Sequence, residues 1–160
     1  MQFTQSVSYP GTVDEVVAMY LTPAYLERRF DQFVVEGSQA VSVEGERVSF
    51  AGTVRPELIP AAAARFVKSD LRISFTEEWA RDEAGATSRT SVTVDDAPVS
   101  VEATSTLAPA DAGCIRDVTG NVSVRVPLLG GRIEKEAVSH LGRVVEREQA
   151  LAAQWLEEHR

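Results

Sequence analysis

The sequence predicts an α+β fold in which a curved antiparallel sheet of about seven strands wraps around a long C-terminal helix. The first observation is a helical pattern that runs unbroken from about Arg132 to the end of the chain. Its apolar residues recur at spacings of three, four and seven, which predicts one apolar stripe on a helix roughly 40 Å long. The second observation is a series of alternating runs joined by short turns, which predicts antiparallel neighbours.

The first thirty residues predict one strand and two short helices. Residues 2–9 alternate between apolar and polar side chains, and Pro10–Gly11 ends this strand. Thr12 is a candidate helix N-cap with Glu15 three residues later, which is the spacing of a capping box. Thr22–Pro23 predicts the start of a second helix, with threonine as N-cap and proline at the first helical position.

The middle of the chain predicts six more strands and one irregular segment. Residues 71–79 show the clearest period-two alternation. Residues 56–64 contain two prolines and four consecutive alanines, and we expect a loop or a short helical turn there. The only face large enough to need covering is the apolar face of the sheet, and the C-terminal helix is the only predicted element long enough to cover it. The predicted strands are residues 34–43, 47–55, 71–79, 87–94, 99–107 and 114–126.

Composition narrows the function classes. The 160 residues predict one domain over 1–160, and the net charge of −8 argues against nucleic-acid binding, which normally needs a basic patch. The short apolar runs exclude a membrane-spanning helix, and the first nine residues lack the basic start and apolar block of a signal peptide. Cys114 is the only cysteine, so the chain can form no internal disulfide. We therefore expect a cytoplasmic protein.

Few residues carry patterns typical of catalysis. His140 lies beside the apolar stripe of the C-terminal helix, where it is either an edge residue of the core or a polar contact to a ligand. His159 is expected to be a solvated tail residue, and Cys114 a small buried residue. Asp95–Asp96 predicts a β-turn, and Gly130–Gly131 a flexible entry to the helix rather than a phosphate loop. No metal site or cofactor is predicted.

Glu77 departs from the pattern of its strand, because it shares the phase of Phe75 and Trp79. If that face points inward, its carboxylate needs a partner, and Arg89 is a candidate. The alternative is that Glu77 lies at the rim of the sheet near the strand end. We favour the rim position, since buried glutamates are rare.

The order of elements resembles the helix-grip fold of the START and Bet v 1-like superfamily. The resemblance covers the whole chain and rests on the alternating first strand, the Pro10–Gly11 break into Val13–Val17, Thr22–Pro23, the strand meander, and Gly130–Gly131 before the long helix. Within that superfamily the chain most resembles a bacterial, mainly actinobacterial, family of single-domain proteins with no assigned function. A fold does not imply an activity, so the resemblance carries over no catalytic residue.

The resemblance implies an apolar cavity between the sheet and the C-terminal helix. We expect a protein that binds or carries a small hydrophobic molecule, such as a lipid, a sterol-like compound or a polyketide, and that is not an enzyme. One alternative is a polyketide cyclase or hydratase with His140 or Glu77 as acid or base, and another is an interaction module with a filled core. The aromatic side chains belong to the core or the cavity wall: Phe30, Phe33, Phe50, Phe66, Phe75, Trp79 and Trp155. The predicted ligand-binding residues are Phe50, Phe75, Val101, Val124, His140, Leu141 and Val144.

Overall fold

Seven strands and five helices make up the computed structural model, which describes residues 1–65, 67 and 69–160. Phe66, predicted to be core or cavity wall, lies outside the described residues. A 3₁₀ turn at Pro56–Leu58 precedes α3. The strands are β1 (Gln2–Tyr9), β2 (Ala40–Glu44), β3 (Arg47–Thr53), β4 (Arg72–Asp82), β5 (Gly85–Val94), β6 (Val99–Ala110) and β7 (Gly113–Val124). The helices are α1 (Val13–Tyr20), α2 (Pro23–Phe30), α3 (Ala61–Ala64), α4 (Gly130–Ser139) and α5 (Leu141–Glu158).

The strands form one antiparallel sheet in the order β1-β7-β6-β5-β4-β3-β2. Strands β2 to β7 follow one another as a meander, and β1 pairs with β7, the last strand of the chain. This arrangement confirms the predicted helix-grip architecture. The strand predicted over residues 34–43 begins later in the structure, because β2 starts at Ala40. Val34 makes only an isolated bridge to Val54.

The two predicted short helices after β1 are present, but only the first is capped by a threonine side chain. The Thr12 hydroxyl accepts a hydrogen bond from the Glu15 amide at 3.1 Å and caps α1 as predicted. Thr22 stands at the N-cap position of α2, yet its hydroxyl donates to the Ala18 carbonyl at 2.7 Å. Thr22 therefore joins α1 to α2 instead of capping the second helix with its side chain.

The long C-terminal helix is bent, and the prediction of an unbroken helix was wrong. It begins at Gly130, ends at Glu158 and is interrupted at His140, where the backbone turns between α4 and α5. The His140 amide donates to the Ala137 carbonyl three residues back, a tighter turn than an α-helix makes. The apolar period continues across this turn, so periodicity alone could not reveal it. None of the described helices combines the length and apolar character needed to cross a bilayer.

Gly130 seats the first segment of this helix directly on the sheet. A Cβ atom at Gly130 would lie 2.1 Å from the Val124 carbonyl oxygen, so only glycine permits this approach. Gly131 has open space around the same position. The pair is therefore not simply a flexible entry to the helix, because one of the two glycines is required by a close contact.

Candidate functional site

A cavity of about 710 Å³ lies between α4 and the end of the sheet where β5 passes to β6. Its floor comes from β6 and β7, with Val101, Val122 and Val124 pointing inward. One side is α4, through Ile133 and Ala137, and the opposite side comes from described residues between β3 and β4, such as Leu58, Ile59 and Ala63. The volume falls within the range typical of small-molecule sites, about 300–1,000 Å³, and the lining is mostly apolar.

The polar groups of the lining come from few positions. The turn between β5 and β6 contributes Asp95 and Asp96, α4 contributes Glu136, and the turn after α4 contributes His140. Ser69 comes from the segment before β4. All five residues are exposed, so they lie where the cavity opens to solvent. The predicted turn at Asp95–Asp96 is present, and Asp96 has a positive φ of 57°, which aspartate tolerates better than most residues.

Four of the predicted ligand-binding residues line this cavity, namely Val101, Val124, His140 and Leu141. Val144 is half-buried on α5 and is not part of the lining. Sequence patterns did not single out the segment between β3 and β4 as a wall, because its residues lack a helical or strand period.

Phe50 and Phe75 lie in a packed cluster next to the cavity and not in its wall. Both rings contact Phe30 of α2, with centroid distances of 4.3 Å for Phe50 and 4.9 Å for Phe75. Leu26, Val34 and Val48 are the other buried members of this cluster. The aromatic side chains on β3 and β4 therefore help to fill the space beneath α2.

Glu77 is buried, with only 1% of its surface exposed, so the rim position predicted for it was wrong. Its partner is Arg116 on β7, which donates to Glu77 Oε2 at 2.8 Å. Arg89, the partner that we considered, is exposed and belongs to the opposite phase of β5. Trp79 Nε1 donates to Glu77 Oε1 at 3.1 Å, and the Thr90 hydroxyl donates to Oε2 at 2.8 Å.

Arg116 is also satisfied on its far side. Its Nε donates to the Ser105 hydroxyl at 2.9 Å and its Nη2 to the Ser88 hydroxyl at 3.0 Å. The guanidinium lies over the rings of Tyr20 and Trp79, at 4.9 and 4.8 Å from their centroids. The sequence carries a signal for this residue that was missed: Arg116 has the inward phase of Cys114, Val122 and Val124, just as Glu77 has that of Phe75.

The helices reach this network through Arg29 and Glu148. Arg29 Nη2 lies 3.1 Å from Glu148 Oε1, and Arg29 Nη1 lies 3.9 Å from Glu77 Oε1. The Tyr20 hydroxyl donates to Glu148 at 2.5 Å, so the Tyr9 hydroxyl must donate to Tyr20 across their 2.6 Å contact. Two arginines and two glutamates thereby balance in charge and connect α1, α2 and α5 to the sheet.

The environment keeps Glu77 and Arg116 charged and Tyr9 neutral at neutral pH. Burial alone raises the pKa of Glu77, but the charges of Arg116 and Arg29 and the hydrogen bonds outweigh it, so the pKa lies below the usual value. Burial, and then the charge of Glu148, raise the pKa of Tyr9 to about 12. No residue named in the network lines the cavity, so these charges support the fold rather than the candidate site.

Cys114 and His159, two further residues with reactive side chains, both pack against other parts of the protein. Cys114 is buried as predicted, and burial together with the charge of Glu15 raises the pKa of its thiol to about 11, so it is not an activated nucleophile. The ring of His159 stacks on Trp155 at a centroid distance of 3.9 Å and its Nδ1 lies 2.8 Å from the Trp155 carbonyl oxygen. His159 is exposed, as expected for a tail residue, and its ring also packs on Trp155.

Comparison with known proteins finds a family and a curated relative that match nearly the whole chain. The model of a family described as "Protein of unknown function (DUF2505)" matches residues 4–156. "Uncharacterized protein Rv0481c" of Mycobacterium tuberculosis is 25% identical over 166 residues, covering 96% of this chain and 95% of that protein.

Solved structures of low sequence identity share the architecture. A STAR-related lipid transfer protein of Xanthomonas axonopodis is 14% identical with a TM-score of 0.57, covering 92% of this chain and 85% of that one. Norcoclaurine synthase of Thalictrum flavum, solved with dopamine and hydroxybenzaldehyde, is 12% identical with a TM-score of 0.57, covering 100% and 87%. These similarities show the START and Bet v 1-like fold.

Proposed function

This chain belongs to the DUF2505 family of proteins of unknown function and has a START-like fold, and from that premise we propose that it binds and carries a small hydrophobic molecule. The observation that carries the proposal is the cavity of about 710 Å³ beneath α4, with a floor of valines. Transfer of an apolar molecule from water into such a space lowers the free energy by roughly 25 cal/mol per Å² of apolar surface that is buried. The cavity argues against the alternative of an interaction module, because such a module is expected to have a filled core.

The arrangement of polar groups supports a carrier more than an enzyme. The titratable residues of the lining are exposed at its opening, whereas a general acid or base must meet the reacting atoms. Glu77, the other residue considered for acid–base chemistry, already accepts three hydrogen bonds in a separate buried network. A lipid-transfer protein among the structural neighbours also supports this proposal.

The proposal also covers the extent of the domain and the compartment in which the protein acts. We take residues 1–160 as one domain that acts in the cytoplasm on a small hydrophobic partner. The single buried thiol of Cys114 suits a reducing compartment, where structural disulfides are rare.

Filling the cavity tests the proposal directly. Ala137 of α4 lines the cavity, so Ala137→Trp should occupy the space and abolish binding of apolar ligands. Ala150 is exposed on α5, and Ala150→Trp is the matched control that should bind as the natural protein does. Native mass spectrometry of protein purified from its own host, followed by displacement of an apolar fluorescent probe, measures both. A natural protein that arrives empty and binds no member of a broad lipid and polyketide panel would sink the proposal.

A second candidate function is a polyketide cyclase or hydratase, favoured by one observation. His140 lines the cavity together with Glu136, so a bound molecule could meet one imidazole and one carboxylate. Under this hypothesis the protein changes the mass or the absorption spectrum of a bound polyketide, and His140→Ala retains binding but stops the conversion. Under the carrier hypothesis the ligand is recovered unchanged from both proteins.

A further inference from the structure

The charged groups at the cavity opening are unevenly distributed by sign. Asp95 and Asp96 stand on the turn between β5 and β6, and Glu136 stands on α4, so carboxylates face the opening from two elements. Among the described lining residues there is no lysine or arginine, and His140 is the only basic side chain.

The side chains of these carboxylates make no contact that ties the fold together, although aspartate at position 96 also suits the positive φ of its turn. The side chains of Asp95, Asp96 and Glu136 form no hydrogen bond or ion pair with the described residues. Glu134, two positions before Glu136 on the same helix, shows the contrast, because its Oε2 accepts the Val124 amide at 2.9 Å and its pKa is lowered chiefly by that bond. Glu134 ties α4 to the sheet, whereas Glu136 leaves its charge available at the cavity.

Charge at this position discriminates between ligands that share an apolar body. An apolar tail in the cavity leaves the polar end of the molecule near the exposed carboxylates. A carboxylate or phosphate there is repelled, and the net charge of −8 adds to the repulsion, whereas a cation is attracted. A low-dielectric wall on one side makes the effect larger than between two groups in open water.

We infer that the cavity selects a hydrophobic amine, an apolar molecule whose polar end is a protonated nitrogen. This inference rests on the proposed binding function and adds the charge of the ligand to it. The apolar floor supplies most of the affinity, and Asp95, Asp96 and Glu136 supply the preference for a positive end over a negative one.

Three ligands with one dodecyl chain test the inference: dodecylamine, dodecanol and dodecanoate, each used at pH 7 and below its micelle concentration. Displacement of a neutral apolar fluorescent probe measures their affinities. We expect the amine to bind best and the carboxylate worst, with a gap of about tenfold or more between them. The gap should narrow as salt is raised, because the charges at the opening are exposed to solvent.

Neutral variants assign the preference to the named residues. Asp96→Asn and Glu136→Gln should each weaken amine binding by roughly threefold and strengthen dodecanoate binding, with dodecanol unchanged. Asparagine also tolerates the positive φ at position 96. Glu83→Gln removes the same charge from the exposed turn between β4 and β5, at the opposite end of the sheet, and should change none of the three affinities.

The outcomes separate the two proposals. If neither the probe nor any dodecyl ligand binds, the proposed function and this inference both fail. If all three ligands bind equally, or if dodecanoate binds best, the cavity is a ligand site but the inference is wrong. Weaker amine binding in Glu83→Gln equal to that in Glu136→Gln would also overturn it, because net charge alone would then explain the preference.

Discussion

The two segments of the C-terminal helix have the same kind of apolar stripe but cover different interiors. Beneath α5, Ala152, Trp155 and Leu156 are buried in the largest core cluster. Beneath α4, only Gly130 and Ile133 are buried, and the space next to them is the cavity. The segment that packs densely supports the fold, and the segment that does not leaves room for a ligand.

The polar interior repeats this division. Glu148 of α5 meets Arg29, which reaches toward the buried Glu77–Arg116 pair, and every charge there has an opposite partner. Glu136 of α4 and His140, which follows α4, face the cavity without such partners among the described residues. Partnered charges hold elements together, whereas unpartnered ones at an opening are free to meet a ligand.

Arg116→Met gives the largest expected effect, on the α5 side. It leaves the Glu77 carboxylate buried without its main partner, and we expect a loss of about 3–5 kcal/mol in the free energy of unfolding. Arg89→Met, on the exposed phase of β5, is the control and should stay within about 0.5 kcal/mol of the natural protein. Urea denaturation measures both. Equal stability of the two variants would show that the network contributes nothing specific.

Gly130→Ala and Gly131→Ala should have opposite effects on the α4 side. At Gly130 the new Cβ meets the Val124 carbonyl oxygen at 2.1 Å, so α4 must shift, and we expect a loss of about 2 kcal/mol. At Gly131 nothing lies within 4 Å, and alanine should stabilise the helix by about 0.5 kcal/mol. Thermal denaturation measures the pair. The assignment of Gly130 to a close contact is wrong if both variants gain stability.

The pH dependence of the free energy of unfolding tests the buried network on the α5 side without removing any of its residues, and the expected effect is smaller. The pKa of Glu77 is lowered in the folded protein, so its contribution is fully present above the usual value of 4.5 and is lost as the pH falls further toward the folded pKa. In that range the unfolded chain binds a proton that the folded chain does not, which steepens the pH dependence by up to about 1.4 kcal/mol per pH unit. Denaturant titrations at several pH values should show a shallower slope for Glu77→Gln.

The sequence was sufficient for the fold because period-two and helical patterns are local. The alternation in residues 71–79 and the capping by Thr12 both appear in the structure as predicted. The site was only partly predictable: Val101 and Val124 were found because inward phase on a central strand implies contact with the cavity.

What the sequence did not reveal depends on distant pairs. Glu77 and Arg116 are 39 residues apart, and each alone is only an anomaly in an apolar phase. The break at His140 preserves the apolar period on both sides, so the stripe continues where the helix does not. The apolar stripes of α4 and α5 are similar, but only α4 leaves a space between itself and the sheet. That difference in packing depends on how the helix sits on the assembled sheet, which the local pattern does not contain.

Leu128 offers the smallest expected effect and tests the entry to α4. Its side chain is fully exposed and its φ is 68°, a left-handed conformation that costs a leucine roughly 1–2 kcal/mol. Asparagine tolerates this conformation, so Leu128→Asn should raise the free energy of unfolding by about 0.5–1 kcal/mol. Val35→Asn, at an exposed apolar residue that has no positive φ and does not line the cavity, is the control and should gain nothing. A gain measured by denaturation at Leu128 alone would show that the α4 side contains backbone strain that its own packing does not offset.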